Sequence, residues 1–347
     1  MKYTVLALTL FSLSACAENK PVAASLEVLE IPGKLLAGNP MGDPAVRKVA
    51  LFSPAGVESP LPLVLYLPGW GGSSEDSIAR GTRDWLAETV TRLAAGGHPV
   101  RIAAVDARSR YGGSQYLDSP AIGNYAQWLT REVMPAIETR HPLPPGAKWI
   151  VAGHSSGGYG ALRLGMARSE KISAVVALSP DSDLDVTHMG FANDLGVRAI
   201  TRAELDAAMA PAPNFRMPRN GTAQMMLGLS ANYAPGTKPG TFEWIYDDQG
   251  RWRPDIWQRW IEQDPLTIVR KNADAFSKTQ RIYLDGAEHD EFGANIGARK
   301  IHDILKSRTA PVTFLETPGH HSDHLVERLS RGILWISGEK PPAVEEK

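Results

Sequence analysis

The chain has very little cysteine, no excess of charge of either sign and no long hydrophobic run. One of its 347 residues is cysteine, Cys16, so no disulfide bond can form within the chain. Its 37 basic and 38 acidic residues give a formal net charge of −1. A nucleic-acid partner would require a basic face, and this balance argues against one. Internal repeats are also missing, and the length suits one large globular domain or two small ones.

The N-terminal segment carries the features of an export signal. Lys2 precedes an apolar run over residues 3–13, which is too short to span a bilayer as a mature helix and predicts a secretory signal peptide over residues 1–15. The run ends in L-S-A-C, which resembles the bacterial lipobox. We therefore expect lipid-modified Cys16 to hold the protein on a membrane, with an ordinary signal peptide and an incidental cysteine as the alternative. The residue after the cysteine is Ala17 and not aspartate, which resembles the pattern of outer-membrane lipoproteins. The expected location is therefore the cell envelope, at the outer membrane or in the periplasm.

Short apolar runs alternate with segments of helical periodicity from Leu63 onward. The predicted strands are 63–67, 100–105, 149–152, 174–178, 281–284 and 311–315. Pro135 should bend the helix predicted over residues 125–137. This alternation predicts an α/β fold with a mostly parallel central sheet and helices on both faces.

The most informative motif follows the third of these strands. Residues 153–157 read G-H-S-S-G, between a predicted strand and a predicted helix. This context is that of the nucleophile elbow of α/β hydrolases, with Ser155 as the nucleophile. Gly153 and Gly157 are expected because side chains at these positions would collide with neighbouring backbone. A plain glycine- and serine-rich turn is the alternative interpretation.

The organisation of the rest of the chain follows from this core. Residues 16–40 predict a tether and then an edge strand or two, residues 41–338 form the hydrolase domain, and residues 339–347 are a charged tail. The alternation breaks at about 181–264, where hydrolases commonly carry a lid, and a segment this long is usually functional. It contains four of the nine tryptophans: Trp244, Trp252, Trp257 and Trp260. They could line a substrate cleft and set selectivity, although for each one packing is favoured.

Acyl transfer by a serine also needs donors for the oxyanion. The strand at 63–67 runs into P-G-W-G-G-S, a glycine-rich loop at residues 68–73. In this fold one donor is a backbone N–H of that loop, and the other belongs to the residue after the nucleophile. We assign them to Trp70, with Gly71 as the alternative, and to Ser156. A simple glycine turn would explain the loop without this role.

The acid and the base should follow the nucleophile in the order Ser, acid, His. Asp290 lies on the loop after the strand at 281–284, with room to reach a histidine. Asp285 is closer to the strand and should face the core. Asp181 and Asp183 occupy a known alternative location for the acid in this fold.

The candidate bases lie after the last strand, where residues 316–324 read E-T-P-G-H-H-S-D-H. His320, His321 and His324 compete, and position alone barely separates the first two. No H-E-x-x-H motif or cysteine ligand accompanies them, so we expect no metal and no cofactor. His154 should have a structural role, because the side chains of adjacent residues point away from each other and that of His154 should therefore not reach Ser155.

Four segments together resemble one family of hydrolases. They are G-H-S-S-G-G-Y-G at 153–160, D-S-P-A-I-G-N-Y-A-Q-W-L-T-R-E at 118–132, Y-L-D-G-A-E-H-D-E-F at 283–292 and G-H-H-S at 319–322. The chain resembles, over residues 47–335, the putative-esterase family, the esterase D and feruloyl-esterase-like branch of the α/β hydrolases. The resemblance implies Asp290 as the acid and His321 as the base. The oxyanion loop departs from the family pattern because it lacks the usual histidine.

These observations predict a serine esterase that acts on a small-molecule or sugar-linked ester through an acyl-enzyme. Two alternatives remain: an acyltransferase or peptidase with the same triad, and a non-catalytic surface-binding protein on a hydrolase scaffold. The sequence leaves the ester itself open between short-chain acyl esters, feruloylated or acetylated sugars and siderophore esters. It gives no oligomeric state.

Overall fold

The N-terminal part of the fold begins earlier than the sequence suggests. The computed structural model describes residues 24–339, apart from 59, 74–81, 169, 212–213, 219, 273, 277 and 309–310. The predicted signal peptide, Cys16 and most of the tail lie outside these residues. Strand β1, Ala24–Pro32, pairs antiparallel with β2, Val46–Pro54. The 3-10 turn Lys34–Leu36 lies between these two strands. An edge strand is thus present, as expected, and it lies ahead of the domain boundary predicted at residue 41.

The central sheet is mixed and mostly parallel. Its other strands are β3, Leu63–Leu67; β4, Arg101–Val105; β7, Trp149–His154; β8, Ile172–Leu178; β9, Arg281–Ala287; and β10, Val312–Thr317. Among the described residues it has eight strands, in the order β1-β2-β4-β3-β7-β8-β9-β10. β1, β2 and β4 pair antiparallel, and every pair from β4 to β10 is parallel. A two-stranded ribbon, β5 at Asp118–Ser119 and β6 at Gly123–Asn124, stands apart.

Helices cover both faces of this sheet, as the alternation of the sequence predicts. They are α1, Thr82–Ala95; α2, Tyr125–Trp128; α3, Met134–Arg140; α4, Ser156–Ala167; α5, Leu184–Thr187; α6, Met189–Ala192; α7, Leu195–Arg198; α8, Arg202–Met209; α9, Gly221–Tyr233; α10, Pro254–Gln263; α11, Pro265–Lys271; α12, Ala294–Lys306; and α13, Leu325–Ile336. α1 and α13 pack on one face, and the remaining long helices pack on the other. Both faces of β3, β4 and β7 are therefore buried, which suits their uninterrupted apolar sequences.

The expected bend at Pro135 takes the form of a π-helical segment. α2 and α3 are separated by the π turn Leu129–Val133, and Pro135 lies in the first turn of α3. Proline has no N–H to donate to the carbonyl four residues earlier. The wider π turn accommodates that missing hydrogen bond.

Residues 181–264 form a helical insertion, α5 to α10, in which three of the four tryptophans contact one another. Trp244, Trp257 and Trp260 are buried, and the rings of Trp257 and Trp260 stack with centroids 5.3 Å apart. Trp252 is partly buried, and its ring lies 5.2 Å from that of Trp257. The favoured packing role is therefore confirmed for the three buried tryptophans.

Candidate active site

Ser155 lies on the sharp turn between β7 and α4. Its backbone has φ 59° and ψ −124°, in the left-handed half of conformational space where a non-glycine residue is strained. A Cβ atom on Gly157 would come within 3.0 Å of the Leu67 carbonyl oxygen, and one on Gly153 would clash with Gly157. The structure thus confirms the reason for both glycines. The turn also leaves the first N–H groups of α4 without partners in the helix.

His321 and Asp290 meet beside this turn, from two different loops. The Nδ1 of His321 lies 2.7 Å from Oδ2 of Asp290, and both side chains are almost fully buried. The backbone N–H groups of Phe292 and Ala294 donate to the other carboxylate oxygen. Burial alone would raise the pKa of Asp290, but hydrogen bonds from His321, Ser179 and Ala294 outweigh it and lower that pKa. Asp290 is thus held as an anion that orients the imidazole.

The remaining atoms of His321 are held from several sides. Its backbone N–H donates to Glu291, and its carbonyl oxygen accepts from Arg328 and from Nε2 of His154, both at 2.9 Å. Nε2 of His321 is buried and has no hydrogen-bond partner among the described residues. Since Nδ1 donates to Asp290, Nε2 is the nitrogen that is able to accept a proton.

The competing histidines occupy different surroundings. The side chain of His320 is 60% exposed and lies 3.0 Å from Glu291, while Asp323 accepts its backbone N–H. His324 immediately precedes α13 and has a left-handed backbone conformation. His154 is buried, and burial, together with the nearby His321 and Arg328, lowers its pKa to about 3. It is therefore a neutral packing residue in contact with the His321 ring, at a centroid distance of 4.6 Å.

The competing acids are engaged elsewhere. Asp285 is fully buried and accepts two hydrogen bonds from the guanidinium of Arg328, at 2.8 and 3.0 Å. The expectation that Asp285 faces the core is confirmed. Asp183 forms an ion pair with Lys300. Neither carboxylate pairs with a candidate base.

Asp181 has a different position, against the candidate nucleophile. Its Oδ1 accepts from Oγ of Ser155 at a long 3.4 Å, and its Oδ2 accepts from Oγ of Ser156 at 2.6 Å. In this structure the hydroxyl of Ser155 therefore points to Asp181, and its transfer to His321 requires rotation of the side chain. The sequence predicts Asp181 only as an acid that could serve a histidine, and its contact with Ser155 is a finding of the structure.

The glycine-rich loop approaches the same turn. A Cβ atom on Gly69 would lie 3.5 Å from the Cβ of Ser155. The N–H of Gly71 donates to the carbonyl of Gly112 at 3.0 Å, whereas the N–H of Trp70 has no partner among the described residues. The alternative donor Gly71 is thus occupied, whereas within the described part of the chain the N–H of Trp70 is available to a ligand. The Trp70 indole packs closely on Gly113 and on Gly228 of α9, so it joins this loop to the insertion.

Sequence reasoning missed Arg328, which is fully buried in α13. Its guanidinium binds Asp285, the hydroxyl of Ser179 and the carbonyl of His321. The available signal was an arginine among the apolar positions of the last helix, at the spacing of its buried face. An arginine there needs a buried partner, and Asp285 is the acid that the sequence predicts in the core.

Two negative findings apply to the described part of the chain. No group of three or more histidine, cysteine, aspartate or glutamate side chains there has the arrangement of a metal site. Over the same residues, none of the helices combines the length and the apolar character needed to cross a membrane.

The sheet order, the two helical layers and a serine on a strand-to-helix turn define an α/β-hydrolase fold. The sequence profile of the family described as "Putative esterase" matches residues 46–327. The chain belongs to this family, and the protein is a carboxylic ester hydrolase. Both the predicted fold class and the predicted family are confirmed. A search of curated proteins finds no match.

Several solved structures share this fold. A ferulic acid esterase superimposes with a TM-score of 0.58 at 17% identity, covering 91% of this chain and 99% of the other. FphF, a fluorophosphonate-binding serine hydrolase of Staphylococcus aureus, gives 0.55 at 15% identity over 90% and 98%. An S-formylglutathione hydrolase from Agrobacterium tumefaciens gives 0.57 at 14% identity over 92% and 97%. At these identities the similarity concerns the fold alone.

Proposed function

We propose that the protein hydrolyses carboxylic esters through Ser155, His321 and Asp290, by way of an acyl-enzyme. The observation that supports this most directly is the pair formed by His321 and Asp290, which leaves Nε2 of His321 as a buried nitrogen without a partner next to the strained turn of Ser155. A base oriented in this way is what a serine nucleophile requires.

The first half of the reaction forms the acyl-enzyme. The hydroxyl of Ser155 turns from Asp181 toward His321, and Oγ attacks the ester carbonyl as Nε2 takes its proton. The carbonyl oxygen becomes an oxyanion, which accepts hydrogen bonds from the N–H groups of Trp70 and Ser156. His321 then gives its proton to the departing alcohol, and the carbon–oxygen bond to the alcohol breaks.

The second half releases the acid. Water gives a proton to Nε2 of His321 and attacks the acyl carbon, and the bond to Oγ of Ser155 breaks as the serine regains a proton. The Asp290 carboxylate stabilises the imidazolium in both halves without itself taking the proton. An acyltransferase would replace water by another acceptor, so product analysis with a competing alcohol separates these two activities.

Fluorophosphonate labelling tests the nucleophile. Ser155→Ala should abolish labelling and lower kcat by on the order of 10⁶. Ser156→Ala is the matched control: it should still be labelled because Ser156 contributes its backbone N–H. Labelling that survives in Ser155→Ala and disappears in Ser156→Ala would contradict the assignment. A wild-type protein that is folded but never labelled would support the non-catalytic alternative.

We further propose that Cys16 carries a lipid that attaches the enzyme to a membrane of the bacterial cell envelope. The support is the L-S-A-C sequence and the single cysteine of the chain. Cys16→Ser in the full-length protein should move the enzyme from the membrane fraction to the soluble fraction and remove lipid labelling, with Ser14→Ala as the control that keeps both. Wild-type protein that is soluble and carries no lipid by mass spectrometry would contradict this proposal.

A further inference from the structure

A carboxylate beside the candidate nucleophile has no role in the mechanism above. The side chain of Asp181 is 13% exposed, and it contacts both serines of the elbow. Gln115 donates to its Oδ2 at 3.5 Å, from a backbone position with φ 47° that is unusual for glutamine. Strained residues of this kind persist where the surrounding structure requires them, commonly at binding sites.

Asp181 also lacks a cationic partner. Among the described residues no lysine or arginine pairs with it, and the only basic side chain in range is His188, whose Nε2 lies 3.9 Å from Oδ2. Burial lowers the pKa of His188, which makes this imidazole a poor source of positive charge. A carboxylate that is largely removed from water without a countercharge is costly to the fold. A ligand that supplies a donor would relieve this cost.

The geometry of the reaction decides which part of a substrate meets Asp181. The leaving alcohol must lie toward His321, which gives it a proton, and the oxyanion must lie toward the N–H groups of Trp70 and Ser156. The acyl substituent is the part that remains. Because Asp181 contacts the Oγ of Ser155 directly, the carbon next to the ester carbonyl is the acyl atom that comes within its reach.

A row of aromatic side chains runs from His321 to His188, the neighbour of Asp181. The ring of Phe292 lies edge-on against His321, with centroids 4.7 Å apart, and 5.5 Å from the ring of Phe191. Phe191 in turn lies 6.2 Å from His188, which borders Asp181. An apolar wall lowers the local dielectric constant and strengthens a charged hydrogen bond made beside it.

We propose that Asp181 selects the acyl group: its carboxylate accepts a hydrogen bond from an ammonium or hydroxyl group on the carbon next to the ester carbonyl and repels an anion there. The inference rests on the proposed function and narrows its substrates to aminoacyl or hydroxyacyl esters. Asp181 is a specificity-determining residue in this scheme, and His321 remains the base.

Four benzyl esters test this selection. Their acyl groups are alanine, lactate, propionate and methylmalonate, which place an ammonium, a hydroxyl, a hydrogen and a carboxylate near the carbonyl. In Asp181→Asn the ratio of kcat/KM for the alanine ester to that for the propionate ester should fall at least about tenfold, since a hydrogen bond to a charged group is lost. The methylmalonate-to-propionate ratio should rise. Comparing variants cancels the intrinsic reactivity of each ester.

The matched control is Asp183→Asn, because Asp183 pairs with Lys300 and has no contact with Ser155. It should leave all four ratios as in the wild type. Unchanged ratios in Asp181→Asn, or an equal loss for all four esters, would overturn the inference; the equal loss would mean that Asp181 only positions Ser156. A wild type that hydrolyses none of the four but still turns over p-nitrophenyl acetate would also overturn it. If no ester of any kind is cleaved and Ser155 is not labelled, the proposed function fails as well.

Discussion

The imidazole of His321 differs from that of its neighbour in the sequence by its contacts. Its Nδ1 is bound to a buried carboxylate, and its carbonyl oxygen accepts two further hydrogen bonds, so the ring is fixed in one orientation. His320 points outward, with a 60% exposed side chain. The proposed base, which is held in one orientation, thus directly follows a surface histidine in the sequence.

Replacing these two histidines separately tests that difference. His321→Ala should lower kcat by several orders of magnitude, nearly as much as Ser155→Ala, because the members of a triad act as a unit. His320→Ala should change kcat by less than about tenfold, as it removes a partly screened contact with Glu291. Steady-state kinetics on one ester, with circular dichroism to check folding, gives the comparison. An inactive His320→Ala together with an active His321→Ala would show that the base is misassigned by one residue.

At the scale of the elements, one buried ion pair connects the loop of His321 to the sheet. Arg328 of α13 binds Asp285 of β9 and the hydroxyl of Ser179, which follows β8. The same guanidinium donates to the carbonyl of His321. The ends of two strands, the last helix and the histidine loop are thus held by one side chain.

Breaking this ion pair should destabilise the fold strongly. Asp285→Asn leaves the guanidinium of Arg328 buried without its countercharge, which should lower the free energy of unfolding by about 3–5 kcal/mol. Glu327→Gln is the control on the same helix: its ion pair with Arg92 is exposed, and its loss should cost below about 1 kcal/mol. Urea unfolding measures both variants. Equal effects of the two substitutions would mean that the buried pair is not a principal stabilising contact.

The whole molecule should lose stability in acid through His154. Its pKa is lowered to about 3 in the folded protein, while an unfolded chain binds the proton near pH 6.5. Between these values the unfolded state binds more protons, so stability is complete above pH 6.5 and falls as the pH drops toward 3. The loss is on the order of 1.4 kcal/mol for each pH unit below 6.5.

The substitution His154→Gln isolates this contribution. Glutamine does not titrate and can still donate to the carbonyl of His321. The difference in unfolding free energy between pH 7 and pH 4.5 should therefore be smaller in the variant than in the wild type, by roughly 2 kcal/mol or more. Chemical unfolding at the two pH values provides the measurement. An identical pH difference in the two proteins would contradict a neutral, buried His154.

The sequence by itself determined the features that depend on local order. The alternation of apolar runs and helical periodicity fixed the sheet with two helical layers, and Gly153 and Gly157 fixed the turn at Ser155 because no side chain fits there. The resemblance of the segments at 283–292 and 319–322 to the putative-esterase family indicated Asp290 as the acid and His321 as the base. Strand β1 lies ahead of the boundary predicted at residue 41: most of its residues are not fully buried, and it is stabilised by pairing with β2.

The tertiary structure decided what depends on residues far apart in the chain. The proposal of Trp70 rather than Gly71 as an oxyanion donor rests on the carbonyl of Gly112, which accepts the N–H of Gly71. The contact of Asp181 with Ser155 joins two strand ends, and the ion pair of Asp285 with Arg328 spans 43 residues. Hydrogen bonds of this kind are set by how the strands and loops are brought together, and sequence spacing does not specify which polar atoms pair. The order of the candidate serine, acid and histidine along the chain can therefore be read from the sequence. The hydrogen-bond partner of each polar atom is decided by the fold.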